Sequence, residues 1–301
     1  MRIAIENEQL KAEIDSFGAE LKSVIRKSDN QEYMWEADPA YWGKTAPVLF
    51  PFIGKLENCT FSHNGKIYAA DKHGFAREME FKVTEQEADR VVFTIESNEE
   101  TLERYPFEFV LELEYRLNRN TVTQKWRLYN KGSETLYCSM GGHPGFVCPL
   151  IKDGGRSGKR TDCFIKLSGV DGRTSMDSME VNLSTGQLSG EVFTVDIKDG
   201  VFPIADHIFD KDALLFADQG VTAVSLLDAE GKEYVRTEAP GCPVWGIWSM
   251  PTSDAPYVCI EPWWGCCDKD GYQGELKDRP YTNSVKAGEV WTDGLRIVIA
   301  D

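Results

Sequence analysis

Phe107-Glu108-Phe109-Val110-Leu111-Glu112-Leu113-Glu114-Tyr115 alternates apolar and polar residues and carries the alternation on to Leu117. Successive side chains of a strand point to opposite faces, so this stretch turns one apolar face to a core and one charged face to water. Asn118-Arg119-Asn120 then supplies turn residues, and Val122-Thr123-Gln124-Lys125-Trp126-Arg127-Leu128 returns with the same period. Two such runs about a short polar turn read as a β-hairpin. Asn130-Lys131-Gly132-Ser133 makes the next turn.

The same period runs outward in both directions. Arg2–Glu6, Leu10–Ile14 and Val91–Ile95 alternate or nearly so, and Leu214–Phe216, Ala223–Leu227, Glu233–Thr237, Gly246–Ser249, Tyr257–Ile260 and Leu295–Ile299 are further strand candidates. Helical period is scarce. Asp38-Pro39-Ala40-Tyr41-Trp42 starts like a short helix, with Asp at the N-cap and Pro at N1, and Glu99–Tyr105 offers another turn or two. Many short strands separated by Gly, Asn and Asp turns predict an all-β sandwich or barrel. No shift in composition marks a linker, so the 301 residues are expected to form a single domain over 1–301. The polar, glycine-rich segment 152–159 reads as a crossing loop.

Composition narrows the function. Hydrophobic residues make up 42 % and aromatics 11 %, enough for a substantial core. A net charge of −16 repels phosphate backbones, so no nucleic-acid partner is expected. No run approaches the length of a membrane span, and Met1–Asn7 lacks the apolar core of a secretory signal. The eight cysteines lack zinc-type spacing and read as reduced, mostly buried thiols of a cytoplasmic protein.

Only four histidines are present, so each can be weighed. His63 falls in a hairpin turn, Ser62-His63-Asn64-Gly65, where solvation is the ordinary state; His207 has no supporting motif. His73 sits in Asp71-Lys72-His73-Gly74-Phe75-Ala76-Arg77, where a glycine permits close backbone approach to a ligand and Arg77 adds a donor fork. His143 lies in Gly141-Gly142-His143-Pro144-Gly145-Phe146, an irregular backbone at a strand end that can aim an imidazole into a cleft. The plainer alternative is a pair of structural histidines bonded to backbone carbonyls. Glu261 closes Tyr257-Val258-Cys259-Ile260-Glu261-Pro262-Trp263-Trp264: an apolar strand delivers one carboxylate, and the proline is expected to end the ladder. Indole neighbours would desolvate that carboxylate and raise its pKa towards that of a useful base, although a lone glutamate at a strand end is more often a surface residue. Trp245, Trp248, Trp263, Trp264, Phe75 and Phe146 recur near these points, and such rings suit the C–H faces of a sugar as well as an ordinary core. Dinucleotide, Walker, zincin and nucleophile-elbow motifs are missing, and nothing in the spacing calls for a metal or a cofactor.

At these residues the sequence resembles the aldose 1-epimerase (galactose mutarotase) family. The likeness runs over nearly the whole chain. It is carried by Gly18–Ser23, Pro47-Val48-Leu49-Phe50-Pro51 with Gly54-Lys55, His73-Gly74-Phe75-Ala76-Arg77, His143-Pro144-Gly145-Phe146, Asp212–Phe216, Gly246-Ile247-Trp248 and Ile260-Glu261-Pro262-Trp263. The resemblance implies a large two-sheet antiparallel β-sandwich with a sugar groove on one concave face. It casts His143 as general acid on the ring oxygen, Glu261 as general base on the C1 hydroxyl, and His73 as a holder of the ring oxygen or a nearby hydroxyl. A substrate-binding aspartate is expected at Asp210 or Asp212, and Lys55, Arg77 and Trp248 are further candidates for substrate contact. Lys55 stands where the family carries arginine, keeping the charge without the bidentate fork. Pro262-Trp263-Trp264 replaces polar residues, as in a divergent branch.

The activity so implied is interconversion of the α and β anomers of a free hexose, without metal or cofactor, by a monomer or homodimer whose partner is a small sugar. His143 protonated and Glu261 ionised would be the resting state. Rival readings are epimerisation of a hexose 6-phosphate, for which Lys55, Lys72 and Arg77 are suitably placed, a sugar-binding protein without turnover, and a glycoside-cleaving enzyme, which needs a second carboxylate.

Overall fold

The computed structural model describes residues 1–152, 155–156, 158–251 and 254–300. The hairpin forms as expected and somewhat longer: Phe109–Asn118 pairs antiparallel with Thr121–Asn130, Leu113 opposite Trp126, around a turn in which Arg119 takes a positive φ of 51°. It stands inside a nine-stranded sheet that also contains Val290–Ile299, Arg90–Glu96, Glu233–Glu238 and Ala223–Leu227. A second sheet holds, in order, Gln187–Asp196, Ser175–Asn182, Leu214–Ala217, Val244–Trp248, Tyr257–Trp264, Met140–Gly142 and Val48–Leu49, with Gly145–Val147 also paired to Tyr257–Trp264. A four-stranded N-terminal sheet spans Arg2–Glu6 to Gln31–Glu32. The fold is all-β, an antiparallel sandwich.

Leu111, Leu113, Trp126, Leu128, Leu295 and Ile297 from the large sheet share one core with Leu214, Phe216, Trp245, Ile247, Val258 and Ile260 from the second. Burying each such side chain contributes on the order of 1.5–3 kcal/mol before the entropy of ordering is subtracted. The second sheet differs from the first in one respect that positions the site. Tyr257–Trp264 is buried at all eight residues. Val258, Ile260 and Trp264 join the main core, while Cys259, Glu261 and Trp263 point to the opposite face, which is covered by loops.

Several expectations are corrected. Pro262 does not end its strand. On that side Ile260 N–H donates to Pro144 O, and two residues later the neighbouring chain has left the ladder, so no donor is needed at Pro262. Asp38–Trp42 closes a single turn, Trp42 N–H donating to Asp38 O at 2.9 Å, and goes no further. Glu99–Arg104 is a helix, capped by Asn98. His63 is not solvated: it ends the strand Thr60–His63, is 8 % exposed and lies against Phe107, while Asn64-Gly65 makes the turn. Of the expected crossing loop 152–159, residues 153, 154 and 157 lie outside the described residues; Ile151–Lys152 and Gly155–Arg156 pair as a short ribbon. None of the eight cysteines forms a disulfide among the described residues, and all but Cys59 are buried. No helix among the described residues is long and apolar enough to cross a membrane.

Candidate active site

Met140–Gly142 pairs with Trp263 and Trp264, and Gly145–Val147 pairs with Tyr257 to Cys259. His143 and Pro144 are the interruption between these two pieces, facing the stretch that carries Glu261. Bulges of this kind re-aim a side chain. Here the result is His143 Nε2 at 3.1 Å from Glu261 Oε2. On the other flank Gly246 is the direct partner of Glu261, and Leu215 is the partner of Gly246. A β-carbon at Gly246 would already sit 3.3 Å from Glu261 Cβ, so its absence keeps the carboxyl open to the cavity above.

His73 arrives from a loop. Its φ of 66° is rare for a residue with a side chain and is held by a reciprocal pair of hydrogen bonds with Gly54. His73 N–H donates to Gly54 O at 2.9 Å, and Gly54 N–H donates to His73 Nδ1 at 3.1 Å. A ring nitrogen that accepts carries no proton, so the neutral His73 bears its hydrogen on Nε2 and is a donor. Gly54 has a φ of +66°, and a β-carbon there would fall 2.4 Å from Cys267 Cβ, which explains glycine at that position.

These side chains line a cavity of about 250 Å³. Trp42 and Trp248 wall it, Trp42 stacked on His143 with ring centroids 4.8 Å apart and Trp248 edge-on to it at 6.0 Å. Lys72 and Arg77 bring positive charge and Asp212 brings negative charge. Arg77 Nη2 donates to Lys72 O, whereas the side chains of Lys72 and Asp212 have no hydrogen-bond partner or ion pair among the described residues. Trp263 Nε1, His143 Nδ1 and Glu261 Oε2 are likewise buried without a well-aligned hydrogen bond among the described residues. Polar atoms left open around a cavity are what a ligand rich in hydroxyls requires.

Burial sets the protonation. Glu261 is 1 % exposed, and burial, with Asp212 nearby, pushes its carboxyl well above the usual range, opposed by Lys72 and the Trp263 N–H. His143 is pushed down to about 3, chiefly by burial and further by Lys72 and Arg77. His73 is also well below its ordinary value through burial, then through His143, Lys72 and Arg77. Two buried groups 3.1 Å apart that both favour neutrality share one proton. These directions favour a protonated Glu261 beside a neutral His143, the reverse of the distribution expected from the sequence.

The site unites residues from five segments that the sequence keeps apart. His73, Arg77, His143, Asp212, Trp248 and Glu261 all line the cavity. Asp210 does not: it is exposed and pairs with His207 Nδ1 at 2.8 Å. Lys55 is also absent from the lining, its backbone carbonyl accepting from Asp268 N–H. Trp245, Trp264, Phe75 and Phe146 belong to the core, so of the six aromatics singled out only Trp248 and Trp263 reach the cavity. Trp42 was missed, because its part in the site comes from a long-range stack that leaves no local pattern.

The family model for aldose 1-epimerase matches residues 1–297. This chain belongs to the aldose 1-epimerase family. It is 29 % identical over 297 residues to the plasmid-encoded protein LacX of Lactococcus lactis subsp. lactis, covering 95 % of each chain. Among solved structures, a galactose mutarotase related enzyme from Lactobacillus acidophilus is 33 % identical with a TM-score of 0.90, over 100 % of this chain and 98 % of that one. A galactose mutarotase-like protein from Lactobacillus casei is 27 % identical, also with a TM-score of 0.90, over 100 % of both. The aldose 1-epimerase fold therefore extends from end to end of the chain, and the cavity lies on the loop-covered face of its second sheet.

Proposed function

We propose that this protein interconverts the α and β anomers of a free hexose by acid–base ring opening, with Glu261 and His143 as the proton-transfer pair. The observation that carries the reading is the 3.1 Å approach of His143 Nε2 to Glu261 Oε2 beside a polar-lined cavity. Ring opening needs the proton of the anomeric hydroxyl removed and a proton delivered to the ring oxygen. An anomeric O–H donating to Glu261 and a ring oxygen accepting from His143 both favour the charged forms of those groups, so sugar binding draws the shared proton from Glu261 to His143. The carboxylate then takes the C1 hydroxyl proton and His143 protonates the ring oxygen. The ring opens to the aldehyde, C1 rotates, and closure on the other face returns both protons. Each positioned transfer contributes on the order of 10²- to 10⁴-fold. His73, a fixed Nε2–H donor, orients the ring oxygen or an adjacent hydroxyl. Asp212 and the indole faces of Trp42 and Trp248 complete recognition of the sugar.

Polarimetry of freshly dissolved α-D-glucose and α-D-galactose tests this directly. Wild type should hasten relaxation to the anomeric equilibrium, and Glu261→Gln should remove nearly all of that acceleration while sugar binding stays measurable. A variant that keeps most of its activity would remove Glu261 from the mechanism.

One observation favours a second reading, in which the substrate carries a phosphate. The Lys72 ammonium has no ion pair among the described residues and lies beside Arg77 at the cavity wall, a pairing suited to an anionic group. Comparing glucose with glucose 6-phosphate, and wild type with Lys72→Ala, separates the two: loss of activity confined to the phosphorylated sugar would select the second.

A further inference from the structure

We propose that His143, Cys259 and Glu261 form a binding site for a soft divalent transition metal, zinc foremost, which silences the cavity by taking the acid–base pair as ligands. The period of the strand puts Cys259 two residues before Glu261 on the same face, with Trp248 and Gly246 as their respective partners. His143 reaches this face from the interruption in the neighbouring strand. A ring nitrogen of His143, Cys259 Sγ and a Glu261 carboxylate oxygen all lie within 4.8 Å of one another. Tetrahedral zinc, with bonds of about 2.0–2.3 Å, needs its donors roughly 3.3–3.8 Å apart, so a closure of about 1 Å assembles three corners.

Two further features point to a ligand. Glu261 Oε2 is buried 3.1 Å from His143 Nε2, yet makes no well-aligned hydrogen bond among the described residues. Cys259 is fully buried, and its thiol makes no hydrogen bond among the described residues. Imidazole, thiolate and carboxylate together are a zinc-type donor set; magnesium and calcium would ask for oxygens alone. Three protein ligands with the fourth position open to a cavity is a four-coordinate arrangement that zinc accepts readily. Charge balance is kept. The ion displaces the thiol proton and the proton shared by His143 and Glu261, so two positive charges replace two and the buried site gains no net charge. Because His143 and Cys259 lie far apart in the sequence, no spacing motif announces the site.

Metal binding needs only the geometry; the inhibition rests on the proposed sugar chemistry, and the two can fail separately. Cobalt(II) is the probe. The wild-type protein titrated with Co²⁺ should show a thiolate-to-cobalt charge-transfer band that saturates at one ion per chain and is bleached by Zn²⁺. Cys259→Ser should lose the band and weaken Co²⁺ binding at least tenfold. Glu261→Gln, which keeps the thiol, should weaken binding similarly and serves if the serine variant does not fold. In the polarimetric assay, Zn²⁺ should slow wild type at least tenfold, a chelator should restore it, and Cys259→Ser should be insensitive. A missing band, or one that persists in Cys259→Ser, overturns the site. A band that obeys these rules in a protein without sugar turnover supports the metal site and rejects the mutarotase reading instead.

Discussion

Glu261→Gln should change the pH dependence of stability as well as the activity. In the folded protein the His143–Glu261 pair holds one proton because burial disfavours either charge alone. In the unfolded chain the two groups titrate near their ordinary values of 4.5 for the carboxyl and 6.5 for the imidazole. Below pH 4.5 the unfolded pair holds two protons and the folded pair one, so stability rises with pH. Between the two values both states hold one proton, and stability is flat. Above 6.5 the unfolded pair holds none, and stability falls with pH until the folded pair itself loses its proton. Glutamine removes the raised carboxyl. The variant's stability should therefore rise with pH up to 6.5, where His143 alone is the depressed group, and level off above it. The stability gap between variant and wild type then shifts in the variant's favour as the pH rises from about 5 to about 7.5, by at most about 1.4 kcal/mol per pH unit for the one proton involved. Because Glu261 is 1 % exposed, solvent screening takes little from this figure. Urea unfolding followed by tryptophan fluorescence at a series of pH values measures the gap. A gap that stays constant across that range would refute the reasoning, since the folded pair would then release its proton as freely as separated groups do.

Other consequences are open to simpler assays. Gly54→Ala places a β-carbon 2.4 Å from Cys267 Cβ at a φ of +66°, so overpacking and backbone strain together should cost about 3 kcal/mol in denaturant unfolding. Its turnover should drop too, because His73 loses the backbone that holds it. Asp212→Asn should raise KM at least tenfold in polarimetry, whereas Asp210→Asn, on the exposed His207 pair, should leave both KM and kcat unchanged; equal effects would place the aspartate contact wrongly. Trp42→Ala exposes the imidazole it covers, so the His143 resonance followed by NMR should titrate nearer its ordinary value than the wild-type value of about 3.

Much of the architecture is written locally. Period-two runs such as Phe109–Leu117 are governed by which face meets water, and that depends on near neighbours alone. Tyr257–Trp264 was harder to read. A strand buried on both faces shows no alternation, and Pro262 looked like a stop because the gap opposite it is a property of another segment. His63 misled for a similar reason: the turn beside it is visible in the sequence, but the Phe107 ring that buries it is not. The candidate site divides along the same line. His73, His143 and Glu261 stand in glycine- or proline-marked contexts that betray irregular backbone. Trp42, Cys259 and the choice of Asp212 over Asp210 depend on which residues the sheet brings together. The protonation of the pair could not be read without depth of burial, since solvent exposure decides the sign of both shifts.

The strand Tyr257–Trp264 has a consequence for how this gene can vary. Residues for the core and residues for chemistry alternate along it, separated by one peptide unit of about 3.3 Å. Loss of a single codon just before Ile260 would keep the reading frame and the hydrophobic character of the segment, yet it would carry Glu261 into the packed interior and swing an isoleucine over the cavity. Natural variation here should therefore proceed by substitution and never by length change.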